Sequence, residues 1–439
     1  MNKVFSIVWN HTQQSWVVAS EKASRRGKRT GNKKRLVGLA VGSALTAVSH
    51  AAPPAGNALP SNGQVVAGQV AISQSSNTMN IQQSTQQGVI NWQSFDIGSD
   101  ATVNFVQPNS SSATLNRVTS SGASQIFGNL NANGHVFVIN PSGVLFGQGA
   151  RVDVGGLVAS SLNISNADFL SGNYQFKGDS ASGAVVNEGE LIGRYIALLA
   201  PEVRNDGVMI ARQGTAALAA GGAITLSISG ETLVDVQVSE AEFDTLVENR
   251  HLVQAEAGLV IMSAQSASSL LGQTVNSGQI EAAGIVSDGG TVRLVASSHV
   301  SHSGKINVSA GEDGQGGNAI LLANLDNPAS CTDVSGSIRS TGGTDGGDGG
   351  FIETSATAVN IADSAVFDTS ASNGKTGEWL IDPTDFTIGA NGDISTTALE
   401  TNLGASNVTI ESVNGSEGVT GDIFVNGALS WSTNQLTLS

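Results

Sequence analysis

The sequence is poor in charged residues, in aromatic residues and in cysteine. Of its 439 residues, 13% are charged and 5% are aromatic, and Cys331 is the one cysteine. Disordered chains are polar and highly charged, so the low charge and the 40% hydrophobic content predict a folded protein. A single cysteine excludes an internal disulfide, and we interpret Cys331 as a buried or incidental thiol.

Positive charge is scarce beyond the first 35 residues. The chain has 20 Lys and Arg against 36 Asp and Glu, a net charge of −16. Residues 1–35 hold nine of the basic residues and one of the acidic ones, which leaves 11 basic and 35 acidic residues and a net charge of −24 in the remainder. A chain this acidic repels phosphate groups, so nucleic acid and anionic lipid are excluded as partners.

Recognisable catalytic patterns are also missing. We find no nucleophile elbow, no phosphate-binding loop and no Ser-His-Asp signature. His299 and His302 lie three residues apart, which on a strand points their side chains to opposite faces and argues against a metal pair. We therefore predict no enzyme activity, no catalytic residue, no metal site and no cofactor.

The chain begins with features of a leader peptide. The apolar run 36–48 (LVGLAVGSALTAV) follows a basic cluster at 25–35 and is too short to span a bilayer well. Small residues precede Pro53, and they place signal-peptidase cleavage near Ala51 or Ala52. We predict a leader over residues 1–52, with a transmembrane anchor as the alternative.

After residue 60, short runs of alternating apolar and polar residues are separated by Gly, Asn, Ser or Asp, as in a chain of short strands. A loose motif recurs at 186–191, 203–208, 275–280 and 300–306. A repeat near 20 residues without long helices predicts an all-β fold, a right-handed parallel β-helix or β-solenoid with short extra-helical strands. A β-sandwich is the alternative, although it does not account for the short period.

One or two short surface helices are expected to interrupt the coil. The sequence SEAE at 239–242 is a capping-box signature, and Phe243, Leu246 and Val247 follow it at helical spacing. This predicts a helix near 240–250, and residues 265–272 (QSASSLLG) are a second candidate.

A tight corner separates two wholly apolar runs, 136–139 and 144–146. Its four residues favour a type I turn because Asn caps the first position, Pro presets φ at the second and Gly suits the fourth. Since neither run has a polar face, we expect a turn that links two walls of the solenoid. The corner consists of Asn140, Pro141, Ser142 and Gly143.

Five segments in order carry a family resemblance. They are 89–98 (VINWQSFDIG), 115–119 (LNRVT), 124–130 (SQIFGNL), 132–147 (ANGHVFVINPSGVLFG) and 154–162 (VGGLVASSL). Over roughly residues 60–300 the chain resembles the secretion domain of two-partner secretion exoproteins. This family includes filamentous haemagglutinin, the high-molecular-weight adhesins, some haemolysins and the contact-dependent inhibition toxins. Residues 1–24 resemble the extended signal-peptide region of large Gram-negative exoproteins.

Departures from the family pattern point to one branch. The family's Asn-Pro-Asn-Gly motif has Ser142 in its third place, and a second motif, Asn-Pro-Asn-Leu, is replaced by QPNS at 107–110. Residues 377–388 (GEWLIDPTDFTI) resemble the high-molecular-weight adhesin branch.

The resemblance implies a secreted protein with three parts: an extended signal peptide at 1–52, a secretion domain at 53–300 and a β-helical stalk at 301–439. It implies export by the Sec machinery and then through a partner outer-membrane barrel that carries POTRA domains. The hypothesised secretion motif, with the alternative that its residues only shape the fold, comprises Asn116, Arg117, Val118, Asn140, Pro141, Ser142 and Gly143.

The effector function stays open among three classes. We expect the front end of an adhesin, for which a host-cell receptor is a further partner. The alternatives are a contact-dependent inhibition toxin or haemolysin, and a haem-carrier-binding exoprotein. Because strand-like residues reach Ser439 without an evident cap, we also expect a truncated reading frame or a fragment of a longer exoprotein.

Overall fold

Equivalent strands of successive coils pair in parallel, so the chain winds as a parallel β-helix, as predicted. The computed structural model describes residues 52–212, 214–412 and 421–439, together with the backbone of two paired antiparallel strands, Phe5–Asn10 and Ser15–Ser20. Residues 1–51 form one unit and residues 52–439 another. The predicted apolar leader run 36–48 and Ala51 lie outside the described residues, whereas Ala52 is described and exposed.

Three sheets form the walls of the coil, and the chain passes through them in the order sheet 1, sheet 3, sheet 2. Within the described residues, the strands of sheet 1 are Gln64–Ala67, Gln87–Trp92, Ala113–Val118, His135–Ile139, Gly156–Ser160, Tyr195–Leu199, Thr215–Ala220, Leu259–Ala264, Thr291–Ala296, Asn318–Ala323, Phe351–Ser355, Glu378–Asp382, Asn407–Ile410 and Leu436–Leu438. Those of sheet 2 are Val70–Ser75, Thr78–Gln83, Thr102–Val106, Asn129–Ala132, Arg151–Asp153, Glu190–Gly193, Val208–Ala211, Leu252–Gln254, Gln279–Glu281, Lys305–Asn307, Ser337–Arg339 and Val366–Asp368. Those of sheet 3 are Ser124–Ile126, Val144–Phe146, Val185–Asn187, Glu202–Asn205, Thr245–Asn249, Gly272–Asn276, His299–His302, Cys331–Val334 and Ala358–Ile361.

Alternation along these strands builds the core. In Thr291–Ala296, for example, every second side chain is buried, because successive residues of a strand point to opposite faces. The inward side chains of all three sheets join one continuous cluster that runs from Met79 to Ile410. Burial of this apolar ladder supplies the main favourable term in the stability of the coil.

The amino-terminal end of the coil is antiparallel. Gln64–Ala67 pairs antiparallel with Gln87–Trp92, and Val70–Ser75 forms a hairpin with Thr78–Gln83. Parallel stacking starts where Thr78–Gln83 meets Thr102–Val106. Among the described strands, Gln64–Ala67 and Val70–Ser75 are therefore the first edges of sheets 1 and 2.

Extra-helical strands cover part of the outer face of sheet 1, which confirms that element of the predicted fold. Tyr174–Lys177, Ala223–Ser229 and Thr232–Ser239 form an antiparallel sheet. Its apolar residues and the helix Asn166–Ser171 form a second buried cluster with the outward side chains of sheet 1. Every residue of His135–Ile139 is consequently buried, which explains why this run has no polar face.

The predicted positions of the surface helices are wrong. The described helices are Asn166–Ser171 and Thr396–Leu403. Thr245–Asn249 is instead a strand in register with both neighbouring strands of sheet 3. The backbone and buried polar side chains of this strand find their partners in adjacent coils, and this outweighs the local capping-box signal.

The second predicted helix, at 265–272, is also absent, and these residues form an isolated bridge followed by a turn. Ser266 forms an isolated bridge with Ala241, and its buried hydroxyl lies 2.9 Å from Thr245 Oγ1. A helix at this position would remove both contacts, so the packing between coils decides the local conformation.

The predicted repeat corresponds to coils in register, and it carries a polar ladder inside the corner between sheets 3 and 2. Each side-chain amide in the ladder donates to the next coil, at 2.7 Å, 2.8 Å and 2.8 Å for the three Asn–Asn steps. The last step, to His302 Nδ1, is 3.1 Å. The members, all fully buried, are Asn187, Asn205, Asn249, Asn276 and His302.

The ladder also shows why the repeat looked irregular. Its steps span 18, 44, 27 and 26 residues. The step of 44 residues contains the outer hairpin Ala223–Ser229 and Thr232–Ser239. Asn249 belongs to a further copy of the motif, which was not identified from the sequence because a helix was predicted there.

Two further features complete the described residues. Phe386–Ile388 and Ile423–Val425 form a small parallel pair. No helix among the described residues is long and apolar enough to cross a membrane.

Candidate partner-recognition site

The corner at 140–143 links sheet 1 to sheet 3, as the sequence predicted. Gly143 N donates to Asn140 O at 2.8 Å, and Ser142 N donates to Asn140 Oδ1 at 3.0 Å. The Asn140 amide is buried and donates to Gly122 O and to Ser124 Oγ of the preceding coil. Asn140 therefore closes its own turn and also fastens it to the neighbouring turn.

Gly143 is required by the backbone and by a neighbour. Its φ is +106°, a region that side chains with a Cβ rarely adopt. A Cβ placed there would lie 2.7 Å from Ala184 O of the next coil. Pro141 is exposed and Ser142 is half-buried, so these two residues form the outward part of the corner.

Asn116 lies inside the coil. It accepts a hydrogen bond from Trp92 Nε1 at 3.0 Å and donates to Phe137 O at 3.2 Å. Its Cα pairs with that of Val138 in the adjacent strand, two residues before the corner begins. The structure thus brings Asn116 and the corner to neighbouring positions of sheet 1, although they are more than 20 residues apart in sequence.

Arg117 points outward and holds the helix Asn166–Ser171 against the coil. Its guanidinium donates to Asn163 Oδ1, to Asn166 Oδ1 and to Ile164 O. Burial lowers the pKa of Arg117 from its usual value. Val118 is buried in the core. Every one of these side-chain contacts joins parts of the coil to one another.

The exposed edge at the amino-terminal end was not identified from the sequence. Val65 and Val66 of Gln64–Ala67 are 42% and 48% exposed, and both face solvent because the strand carries a register shift between residues 65 and 67. An exposed apolar edge strand is a template for pairing with another chain. The consecutive valines shortly after Gly63 were the available signal, but the sequence did not show that this strand ends its sheet.

Comparisons with known proteins agree with this architecture. A family model described as the TPS secretion domain matches residues 56–308, and one described as the Extended Signal Peptide of Type V secretion system matches residues 1–50. The fold is similar to the crystal structure of the HMW1 secretion domain from Haemophilus influenzae. The TM-score is 0.67 at 22% identity, and the match covers 87% of this chain and all of the other.

Two relatives, both named heme/hemopexin-binding protein and both from Haemophilus influenzae, are similar in sequence. The first is 34% identical over 221 residues, which is 48% of this chain and 24% of the relative. The second is 38% identical over 146 residues, which is 33% of this chain and 16% of the relative. The matched regions thus span about a quarter or less of the length of these relatives.

The TPS secretion domain implies export by the Sec machinery and then through a transporter in the outer membrane. The β-helix, its extra-helical sheet and the family match over more than half of the sequence lead to one assignment. The chain belongs to the secreted exoproteins of two-partner secretion systems.

Proposed function

We propose that the outer-membrane transporter recognises the antiparallel amino-terminal end of the coil, and that it does so by adding a strand of a POTRA domain to the edge Gln64–Ala67. Strand addition satisfies the unpaired backbone groups of an edge and takes specificity from alternate side chains. The observation that carries this proposal is the exposure of Val65 and Val66 on a strand that ends its sheet.

The hypothesised secretion motif then has a supporting role. Asn116 and Asn140 are fully buried and bonded within the coil, so they shape the end that is recognised and do not touch the transporter themselves. Pro141 and Ser142 are the members of the motif that are accessible for contact at the corner. We propose the same indirect role for Arg117, because its donors are directed to residues 163–166.

Two lysine substitutions, one at each end of the coil, test whether the transporter docks on the edge strand Gln64–Ala67. Val66→Lys places a charge on the proposed docking strand, whereas Val366→Lys places the same charge on the last described strand of sheet 2. The two valines are 48% and 46% exposed, which makes the substitutions well matched. Each variant is expressed with its transporter, and the secreted fraction and the melting temperature are measured.

We expect Val66→Lys to reduce secretion by at least about tenfold with an unchanged melting temperature, because a charge on an edge opposes strand pairing. Val366→Lys is expected to be secreted like the unaltered chain. Equal secretion of both variants would reject the edge as the docking site.

We further propose a non-catalytic effector that binds a ligand outside the cell. An adhesin for a host-cell receptor is the first candidate, and a contact-dependent inhibition toxin or haemolysin remains an alternative. The names of the two relatives favour a haem-carrier-binding exoprotein as the second candidate.

Binding of the purified, secreted protein to immobilised haem-loaded haemopexin, and separately to cultured epithelial cells, distinguishes these classes. Saturable binding to haemopexin alone would support the haem-carrier class, and binding to cells alone would support an adhesin. Binding to neither would contradict both.

A further inference from the structure

We propose that His299, Cys331 and Asp333 form a zinc-binding site on the outer face of sheet 3. The imidazole nitrogen, thiol sulfur and carboxylate oxygen of these side chains all lie within 4.8 Å of one another. The sequence separates His299 from Cys331 by 32 positions and gives no indication that they meet.

Parallel stacking brings the three groups together. His299 and Cys331 are Cα partners on adjacent strands, and outward side chains at such positions are about 4.8 Å apart. Asp333 lies two residues beyond Cys331 and therefore on the same face of its strand. His302, three residues after His299, points into the core, so the two histidines lie on opposite faces as predicted. Cys331 is half-buried on the outer face of the strand.

The donor atoms lie at or slightly inside the separations that a tetrahedral ion requires. His299 Nε2 lies 2.9 Å from Asp333 Oδ2, and Cys331 Sγ lies 3.3 Å from Asp333 Oδ1. Ligand atoms on a tetrahedral zinc ion with bonds of 2.0–2.3 Å are roughly 3.3–3.8 Å apart, so small rotations of the side chains would admit the ion.

The donor types select zinc over calcium or magnesium. Thiolate, imidazole and carboxylate are the three usual protein ligands of zinc, whereas calcium and magnesium take oxygen ligands. A thiolate and a carboxylate together balance the charge of a divalent ion. Three protein ligands leave the fourth position for water or for a donor from another molecule.

Asn360 supports the carboxylate from the next strand. Its Nδ2 donates to Asp333 Oδ1 at 2.7 Å and approaches Cys331 Sγ at 3.2 Å. Outer-shell hydrogen bonds of this kind orient metal ligands and increase affinity. Burial, with the Asp333 carboxylate beside it, raises the pKa of the Cys331 thiol to about 12. Zinc would therefore displace the thiol proton on binding.

The proposal predicts binding of one zinc ion per chain. The purified full chain is titrated with Zn²⁺ against a chromophoric chelator, and Co²⁺ is used as a spectroscopic probe for a thiolate ligand. We expect a thiolate-to-cobalt charge-transfer band, intense visible bands typical of tetrahedral cobalt, and a higher melting temperature with Zn²⁺ because the ion joins two coils.

Cys331→Ser is expected to abolish the charge-transfer band, and His299→Gln and Asp333→Asn to weaken zinc binding by at least about tenfold. His251→Gln removes an exposed histidine elsewhere and serves as the matched control, with unchanged affinity. Circular dichroism of each metal-free variant establishes that it is folded. Absence of the band in the unaltered chain, or its persistence in folded Cys331→Ser, would overturn the proposal.

Discussion

Trp92 Nε1 donates a hydrogen bond to Asn116 Oδ1 at 3.0 Å within the first coils, where both side chains are buried. The two residues belong to separate segments that resemble the secretion family. The bond therefore joins two family motifs into one packing unit. It also supports the proposal that Asn116 shapes this end of the coil and does not contact the transporter.

Asn116→Ala should destabilise the protein by about 1–3 kcal/mol, because it leaves the buried Trp92 indole donor without a partner. Trp92→Phe removes that donor, so the double variant should lose less free energy of unfolding than the sum of the single variants. Urea unfolding of all three measures this coupling. Secretion assayed in parallel separates the two roles of Asn116, since lost secretion at unchanged stability would favour direct recognition by the transporter.

Gly143→Ala should destabilise the corner by about 2–4 kcal/mol, because strain at positive φ is combined with a clash against Ala184 O. Gly149→Ala is the matched control. Gly149 also has a positive φ, +89°, but its Cβ would meet no atom within 4 Å. We expect it to cost about 1 kcal/mol from backbone strain alone. Equal losses in thermal unfolding would show that the neighbouring coil relaxes around the new methyl group.

Asn249→Ala breaks the polar ladder at its centre and should cost about 2–4 kcal/mol. Asn205 loses its acceptor in the next coil and Asn276 loses its donor, and both amides remain buried. Asn318 lies on the outer face of sheet 1 and is exposed, so Asn318→Ala should change the free energy of unfolding by less than about 0.5 kcal/mol. Denaturant unfolding measures both changes, and an equally small loss at Asn249 would contradict a stabilising ladder.

Acidification should destabilise the coil through two buried histidines. Burial lowers the pKa of His302 to about 4, and burial together with Arg194 lowers the pKa of His135 to about 4. Between pH 6.5 and pH 4 the unfolded chain binds protons that the folded chain does not, so the free energy of unfolding falls as the pH falls. The effect is about 3 kcal/mol for each histidine across this window.

His302→Asn places in this coil the residue that precedes it along the ladder, and it should flatten the loss below pH 6.5 by about 3 kcal/mol. His251→Gln, which removes an exposed histidine, is the control variant. Burial raises the pKa of Asp382 to about 6, which stabilises the fold on acidification, and this contribution is common to all of these proteins. An identical pH profile for His302→Asn would show that His302 is not the group that titrates.

The local rules of strand and turn formation were readable from the sequence. Alternation, the loose repeat and the corner at 140–143 predicted the coil, and the structure confirms each of them. They were readable because inward and outward positions along a strand differ in polarity, and because turn residues have specific backbone preferences.

Contacts between coils were decided only by the tertiary structure. The sequence placed a helix over residues that form Thr245–Asn249, and it did not bring His299 beside Cys331. The coils of the ladder differ in length by as much as 26 residues. The partner of a given side chain therefore depends on how many residues form outer loops or hairpins between two strands of the coil. Stacking on the preceding coil sets the register of each strand. A local sequence pattern does not show how many residues separate a strand from its partner in that coil.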